Sequence, residues 1–320
     1  MPRRKAPRKG SLQFWPRKRA EKFLPSVNWK IIPSDSSKGF KGIIGYKAGM
    51  ASAYVKDNTP DSRTKDKRIT IPVTIIECPK MKIFSARFYK NKKVAKEILN
   101  NNPEKELKKK IKLPKKTSEK FEKINPEDYD DVTIIAYSQV KKTNLKKKPD
   151  LTEIGLHDKG GVKEKIDFIK ENLGKEISVT DIFDNNQLVD LRGITRGKGF
   201  QGPLKRFGLS LKSHKSEKGR RRPGSLAPWH PARVTFRTAM AGQMGMHTRI
   251  HYNQTLISLG KPQDLKKGLT GIKGYGDIKT DYIIVTGSVQ GPSKRQVIIT
   301  SPLRESKKQT KKNYELIELR

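Results

Sequence analysis

Residues 39–55 read GFKGIIGYKAGMASAYV and residues 68–78 read RITIPVTIIEC. Both runs have the β-branched content and the glycine punctuation of paired strands. The same character returns late, in EISVTDIF at 176–183 with QLVDLRGIT at 187–195, then in RIHYNQTLISLG at 249–260, DYIIVTGSVQG at 281–291 and KRQVIIT at 294–300. Strands split across the sequence in this way predict one β-barrel interrupted by two insertions. The expected barrel takes residues 39–79, 176–195 and 246–303.

The first insertion, 80–175, carries mixed signals. VTIIAYSQV at 132–140 reads as a buried strand, and VKEKIDFIKENLG at 162–174 sets Ile166, Ile169 and Leu173 at helical spacing with Gly174 as C-cap. A small α/β lobe is expected. Its lysine tracts at 105–116 and 146–148 are matched locally by Glu104, Glu106, Glu119, Glu122 and the acids at 127–131. Those lysines read equally as solvated surface or as nucleic-acid contacts.

The second insertion, 196–245, reads as a long basic finger. Residues 192–249 hold fourteen Lys and Arg against one acid, Glu217, together with nine glycines. So much charge with so little apolar residue cannot build a core of its own, because burial is too small to offset chain entropy. Only a dense counter-charge lets this many cations approach one another, so the expected partner is a polyanion, RNA or DNA. Residues 1–38 form a second basic stretch, an extended arm with nine Lys and Arg and one acid before residue 23. Its interleaved Phe14, Trp15, Phe23 and Trp29 favour stacking or anchoring over a merely solubilising tail. The last segment, 304–320, is basic and then alternates in NYELIELR, which fits a short strand or a loose end.

The whole chain of 320 residues agrees: 71 Lys and Arg against 32 Asp and Glu leave a formal charge of +39. No amphipathic anchor, lipidation signal or run of about 18 apolar residues points to a membrane. Pro2, Pro7 and Pro16 would break the helix of a mitochondrial presequence, so a cytosolic location is expected. Cys78 is the single cysteine, which rules out an internal disulfide and a zinc site built on paired cysteines.

No motif argues for catalysis. Gly197-Lys-Gly199-Phe-Gln-Gly202 matches a dinucleotide-binding pattern, but Pro203 follows at once, no apolar-periodic helix opens, and Arg220, Arg221 and Arg222 stand where a ribose-binding acid belongs. The glycines read instead as a close approach to phosphates beside Arg196 and Lys198, or as a structural turn cluster. His247 and His251 have a metal-compatible spacing, yet their segment reads as a strand start. No metal and no cofactor is expected. In the finger, Arg220–Arg222 can fork onto phosphates, and Pro223, Pro228 and Pro231 stiffen a loop presenting Trp229 between nucleotides, flanked by His230 and Arg233.

GITRGKGFQGPLKRFG at 193–208, RRRPGSLAPWHPARV at 220–234 and AGQMGMHTR at 241–249 resemble the universal large-subunit ribosomal protein family conventionally numbered three. The likeness continues through GFKGIIGYKAGM at 39–50, KKKPDL at 146–151 and YIIVTGSVQGPSKR at 282–295. The Trp-His-Pro tip and the sizeable first insertion resemble the archaeal and eukaryotic branch, and the length resembles the archaeal members. The resemblance implies a translation-factor-like barrel on the ribosomal RNA, a finger approaching the peptidyl transferase centre, a role in early assembly, and neighbouring large-subunit proteins as partners. It also implies that the RNA, not this chain, is the enzyme. The expected RNA contacts are Arg196, Lys198, Lys205, Arg206, His214 and Lys215 at the start of the finger. Arg220, Arg221, Arg222, Trp229, His230, Arg233, Arg237, Gln243 and Arg249 continue them, and Arg3, Arg4, Trp15 and Arg17 add the arm. Two rival functions remain open on residues alone: an RNA-modifying enzyme using the glycine-rich stretch, and an architectural DNA-binding protein.

Overall fold

The structure, a computed structural model, describes residues 9–34, 39–100, 102–114, 124–157, 161–215, 218–264 and 270–320. Arg3 and Arg4 lie outside the described residues. The first elements are β1 (Gly42–Asp57), β2 (Arg68–Glu77), β3 (Met81–Lys90), β4 (Lys93–Leu99), β5 (Asp131–Ser138), β6 (Leu151–Gly155), α1 (Val162–Asn172) and β7 (Leu188–Ile194). The chain continues through β8 (Phe200–Gln201), α2 (Pro203–Phe207), β9 (Gly242–Gln243), β10 (Thr248–Gly260), β11 (Tyr282–Thr286), β12 (Gln296–Thr300), α3 (Lys307–Thr310) and β13 (Tyr314–Leu319). The fold is mainly β. Its contacts fall into two compact units, Met1–Lys22 with Ile194–Thr248 and Phe23–Gly193 with Arg249–Arg320.

The larger unit carries a seven-stranded sheet in the order β12-β7-β10-β11-β2-β1-β13, and a further pairing of β12 with β1 closes six of these strands on themselves. The length of β1 makes this possible. Gly42–Tyr46 pair with β12 and Ala53–Asp57 with β13, while Tyr46–Lys56 pair with β2. Its glycines serve these close approaches: a Cβ on Gly45 would stand 2.6 Å from Ile76 Cγ2 of the neighbouring strand. The uninterrupted apolar runs are strands buried on both faces. Ile283 and Val285 of β11 enter one apolar cluster and Tyr282 and Ile284 the other. Such strands lose the polar alternation of a half-exposed sheet.

A second sheet, β4-β3-β5-β6, is antiparallel throughout. Ile166 and Ile169 of α1 are buried against it, and Gly174 follows the helix with φ +82. That is the left-handed position that favours glycine after a helix. Both sheets share one core, in which Ile44, Ile76 and Ile299 join Ile83, Val132 and Ile154. A buried polar tie reinforces the contact: the Tyr46 hydroxyl of β1 donates to Asp150 Oδ2 at 2.5 Å and lies 2.7 Å from Ser138 Oγ of β5.

One expectation changes, and the structure decides two readings that the sequence left open. EISVTDIF is not a strand; turn bonds from the amides of Ile182 and Phe183 to the Val179 carbonyl fold it back, and a single bridge joins Ile177 to Met81. Its alternating apolar residues are buried all the same, which is the property that imitated a strand. NYELIELR is a strand: Leu319 buries opposite Ala53, and the pairing continues along β1 past a register shift between Tyr54 and Val55. Trp29 does not present its ring for stacking on nucleic acid. It is 6% exposed, in the shared core, and a Cβ on Gly155 would come within 2.6 Å of Trp29 Cβ.

Glu104 and Glu106 do not neutralise the tract beside them, Lys146 of the second tract pairs with Asp150, and Glu119 and Glu122 lie outside the described residues. Glu104 binds Lys82 at 2.7 Å and Glu106 binds Lys141 at 2.7 Å, while Lys105, Lys108, Lys109 and Lys110 stay exposed. Glu176 gathers Lys142 at 2.8 Å and Lys80 at 3.2 Å. The hydrogen bond from Lys142, outweighing burial, brings the Glu176 carboxyl from 4.5 to about 2. Its folded pKa is depressed, so its contribution to stability is present above pH 4.5 and lost as pH falls towards 2. Chemical denaturation at stepped pH should show Glu176→Gln losing less stability than the native chain across that window. Parallel curves would show that these ion pairs add nothing.

Candidate nucleic-acid interface

The chain returns to the smaller unit at Ile194, and the base of that unit is built from short pieces. Phe200 and Gln201 of β8 pair with Gln243 and Gly242 of β9. The amide of Lys198 donates to the Met244 carbonyl at 2.9 Å, and that of Met244 to the Gly199 carbonyl at 2.9 Å. This pairing occupies backbone donors of the glycine-rich stretch, so Gly199, with φ +65, first of all makes the turn. A short helix opens after the motif, but not an apolar-periodic one. Pro203 sits in its first turn, where its missing N–H costs nothing, and Gly208 ends it after five residues with φ 67. One turn holds a single buried apolar side chain, Phe207, too little to show as a periodic pattern.

Phe207 is the centre of a miniature core made largely of cations. The Trp15 ring lies 5.4 Å from it, and the Arg17 guanidinium stands 4.2 Å above its face. Arg206 clamps the base: Nε donates to Gln243 O at 2.9 Å, Nη1 to Met240 O at 3.0 Å and Nη2 to Arg17 O at 3.2 Å. Arg17 Nη1 answers by donating to Arg206 O at 2.6 Å. The Ala20 amide reaches Met246 O at 2.8 Å, and a His247 ring nitrogen lies 3.1 Å from Lys18 O. Burial lowers the pKa of Arg206. Carbonyl oxygens rather than carboxylates receive these guanidinium groups, so the base holds together without spending an acid.

Beyond Gly208 the described residues up to Met240 contain no helix or strand. A few bonds shape the loop, among them Lys212 N–H to Arg220 O at 3.1 Å and Thr238 Oγ1 to Leu226 O at 2.8 Å. Trp229 is 88% exposed and Phe236 is 67% exposed. Arg196, Lys198, Lys205 and Lys215 are exposed with no ion pair among the described residues, as are Arg220, Arg221, Arg222 and Arg233. His214, His230 and Arg237 are exposed too, the last with its guanidinium 5.6 Å from the Phe236 ring centroid.

The residues expected to face nucleic acid therefore separate into two kinds. Arg17, Arg206 and Gln243 turn polar groups onto the protein's own carbonyls, Gln243 Nε2 reaching Met244 O at 3.1 Å. Trp15 is half-buried against Phe207. Arg249 belongs to the larger unit, where burial lowers its pKa. Sequence reasoning missed Phe207, Lys18 and Met246 as parts of the base. An aromatic followed by glycine in a stretch otherwise short of apolar residues was the available signal for the first; the other two act through backbone carbonyls and carry no signal.

A profile of the family Ribosomal protein L3 matches residues 1–120 and 85–320. The chain belongs to the ribosomal protein L3 family. Among relatives of the L3 family, the Large ribosomal subunit protein uL3 of Archaeoglobus fulgidus is 39% identical over 312 residues, covering 94% of this chain and 93% of the relative. The uL3 of Methanocaldococcus jannaschii is 37% identical over 311 residues, covering 93% and 91%. That of Methanobrevibacter smithii is 38% identical over 324 residues, covering 96% and 95%. As an L3-family member the chain is a structural ribosomal protein and not an enzyme.

Proposed function

We propose that the chain is a constituent of the large subunit of the cytoplasmic ribosome, that it binds large-subunit ribosomal RNA and supports early assembly, and that its finger reaches towards the peptidyl transferase centre. In this reading the closed strands of the larger unit act as a translation-factor-like barrel seated on RNA, and the arm and the finger penetrate it. The observation that carries the proposal is the finger itself. Its Arg220–Arg222 triplet and its 88% exposed Trp229 stand on a base whose Arg206 guanidinium is taken up by the protein's own carbonyls. Exposed cations without acids suit phosphates, and an exposed ring suits stacking on bases. Neighbouring large-subunit proteins complete the environment in this reading, which is supported by relatives whose name is that of a large ribosomal subunit protein.

Trp229 gives the sharpest test. Stacking of one base on an aromatic ring is worth about 1–3 kcal/mol, enough to bias a local RNA conformation and small beside many phosphate contacts. Trp229→Ala is expected to enter large subunits at near-normal yield and to alter aminoacyl-tRNA accommodation or sensitivity to inhibitors of the peptidyl transferase centre. Subunits that fail to assemble would make the ring a structural anchor. Unaltered accommodation and drug response would make it an incidental contact.

A further inference from the structure

The turn between β1 and β2 and the segment entering β13 lie far apart in sequence, and the fold brings them together. The Asn58 amide donates to Asn313 O at 2.9 Å, the Asn313 amide donates to Thr59 Oγ1 at 3.1 Å, and Asp57 stands opposite Tyr314 in the ladder. Cations collect around this junction. The turn contributes Arg63, Lys65 and Lys67, all exposed. The other segment contributes Lys307, Lys308 and Lys311, exposed, and the half-buried Lys312. None of the seven has an ion pair among the described residues, whereas the flanking Lys56 and Arg68 are matched by Asp66 at 3.5 Å and Glu318 at 3.6 Å. The fold therefore pairs Lys56 and Arg68 and leaves these seven cations outnumbering the exposed acids of the same segments, Asp61, Asp66 and Glu305.

The turn is also ordered from within. Asp57, 3% exposed, accepts the Thr59 amide at 3.0 Å, Ser62 Oγ at 2.9 Å and Thr64 Oγ1 at 2.5 Å. Burial raises its pKa, but the hydrogen bonds from Thr59, Thr64 and Ser62 win and bring it to about 2, so the hub stays ionised near neutrality. A turn already fixed holds its basic residues at set spacings and loses little backbone freedom on binding. No large apolar side chain is exposed at 57–68 or 304–313. Protein interfaces centre on apolar or aromatic anchors and are poor in lysine, whereas phosphate contacts need only the cations.

The geometry points to a second phosphate-binding surface on the larger unit, formed jointly by the β1–β2 turn and residues 307–312, with a ribosomal RNA backbone as its ligand. This rests on the reading that the chain binds ribosomal RNA. The test titrates the full chain with large-subunit ribosomal RNA over a range of salt. Arg63→Ala/Lys65→Ala/Lys67→Ala should lower the slope of log K against log salt by two to three contacts, at about 0.7–0.9 each. The finger variant Arg220→Ala/Arg221→Ala/Arg222→Ala runs beside it, and Lys90→Ala/Lys92→Ala/Lys93→Ala in the exposed β3–β4 turn controls for overall charge. A flattened finger slope with an unchanged β1–β2 slope overturns this surface alone. An equal flattening in the β3–β4 control overturns it as well, since the effect would then be one of net charge. Failure of both the finger and the β1–β2 variants to change the slope would remove the RNA-binding reading itself.

Discussion

Replacing Arg220, Arg221 and Arg222 together by alanine is expected to flatten the salt dependence of RNA binding by two to three phosphate contacts. All three are exposed and none has an ion pair among the described residues; the internal hydrogen bond lost with them is the long one from Arg220 Nε to Lys212 O at 3.5 Å. Each contact contributes about 0.7–0.9 to the slope, and over a fourfold rise in salt the variant should therefore lose roughly 7- to 40-fold less affinity than the native chain. Replacement by three lysines separates charge from shape. It keeps the slope, because the charge is kept, while losing affinity wherever a guanidinium forks onto a phosphate. An unchanged slope in the alanine variant would show that these residues do not touch RNA.

Arg206→Ala should have the second large effect, for the opposite reason. Its guanidinium donates to the carbonyls of Gln243, Met240 and Arg17. Hydrogen bonds to a charged group are worth about 1.5–3 kcal/mol each, and three that share one half-buried group should together stabilise the base by about 3 kcal/mol. Opening of the base would become on the order of a hundredfold more frequent. Limited proteolysis of the free chain measures it: cleavage within 194–208 and 240–248 should accelerate by that order, while the larger unit keeps its native rate. Arg206→Lys should not rescue, since an ammonium cannot span three carbonyls arranged for a planar fork. A native cleavage rate would mean that Phe207 and its neighbours hold the base without the clamp.

These two variants also mark the limit of what could be read from residues alone. Arg206 and Arg220 are indistinguishable as letters in a basic stretch. One is folded onto carbonyls and the other faces solvent because of where the backbone of Met240–Gln243 and Arg17 happens to pass. The strands were legible where burial on two faces or alternation shaped their composition, as in YIIVTG and VTIIAYS. EISVTDIF misled because a buried turn selects for the same apolar residues as a buried strand.

The sequence by itself determined the mainly β character, the helix ending at Gly174, and a large excess of positive charge. It determined the family as well, through motifs spread along almost the whole chain. These properties are local or compositional: strand preference, capping and Coulomb repulsion act on residue types wherever they fall. Only the tertiary structure decided that β1 serves three neighbours, that Trp29 belongs to a core, and that the C-terminal alternation is a strand. It alone separated cations that hold the protein together from cations left for a partner. That division depends on which distant carbonyls and carboxylates come within hydrogen-bonding reach, and chain topology sets those distances independently of the residue types that meet.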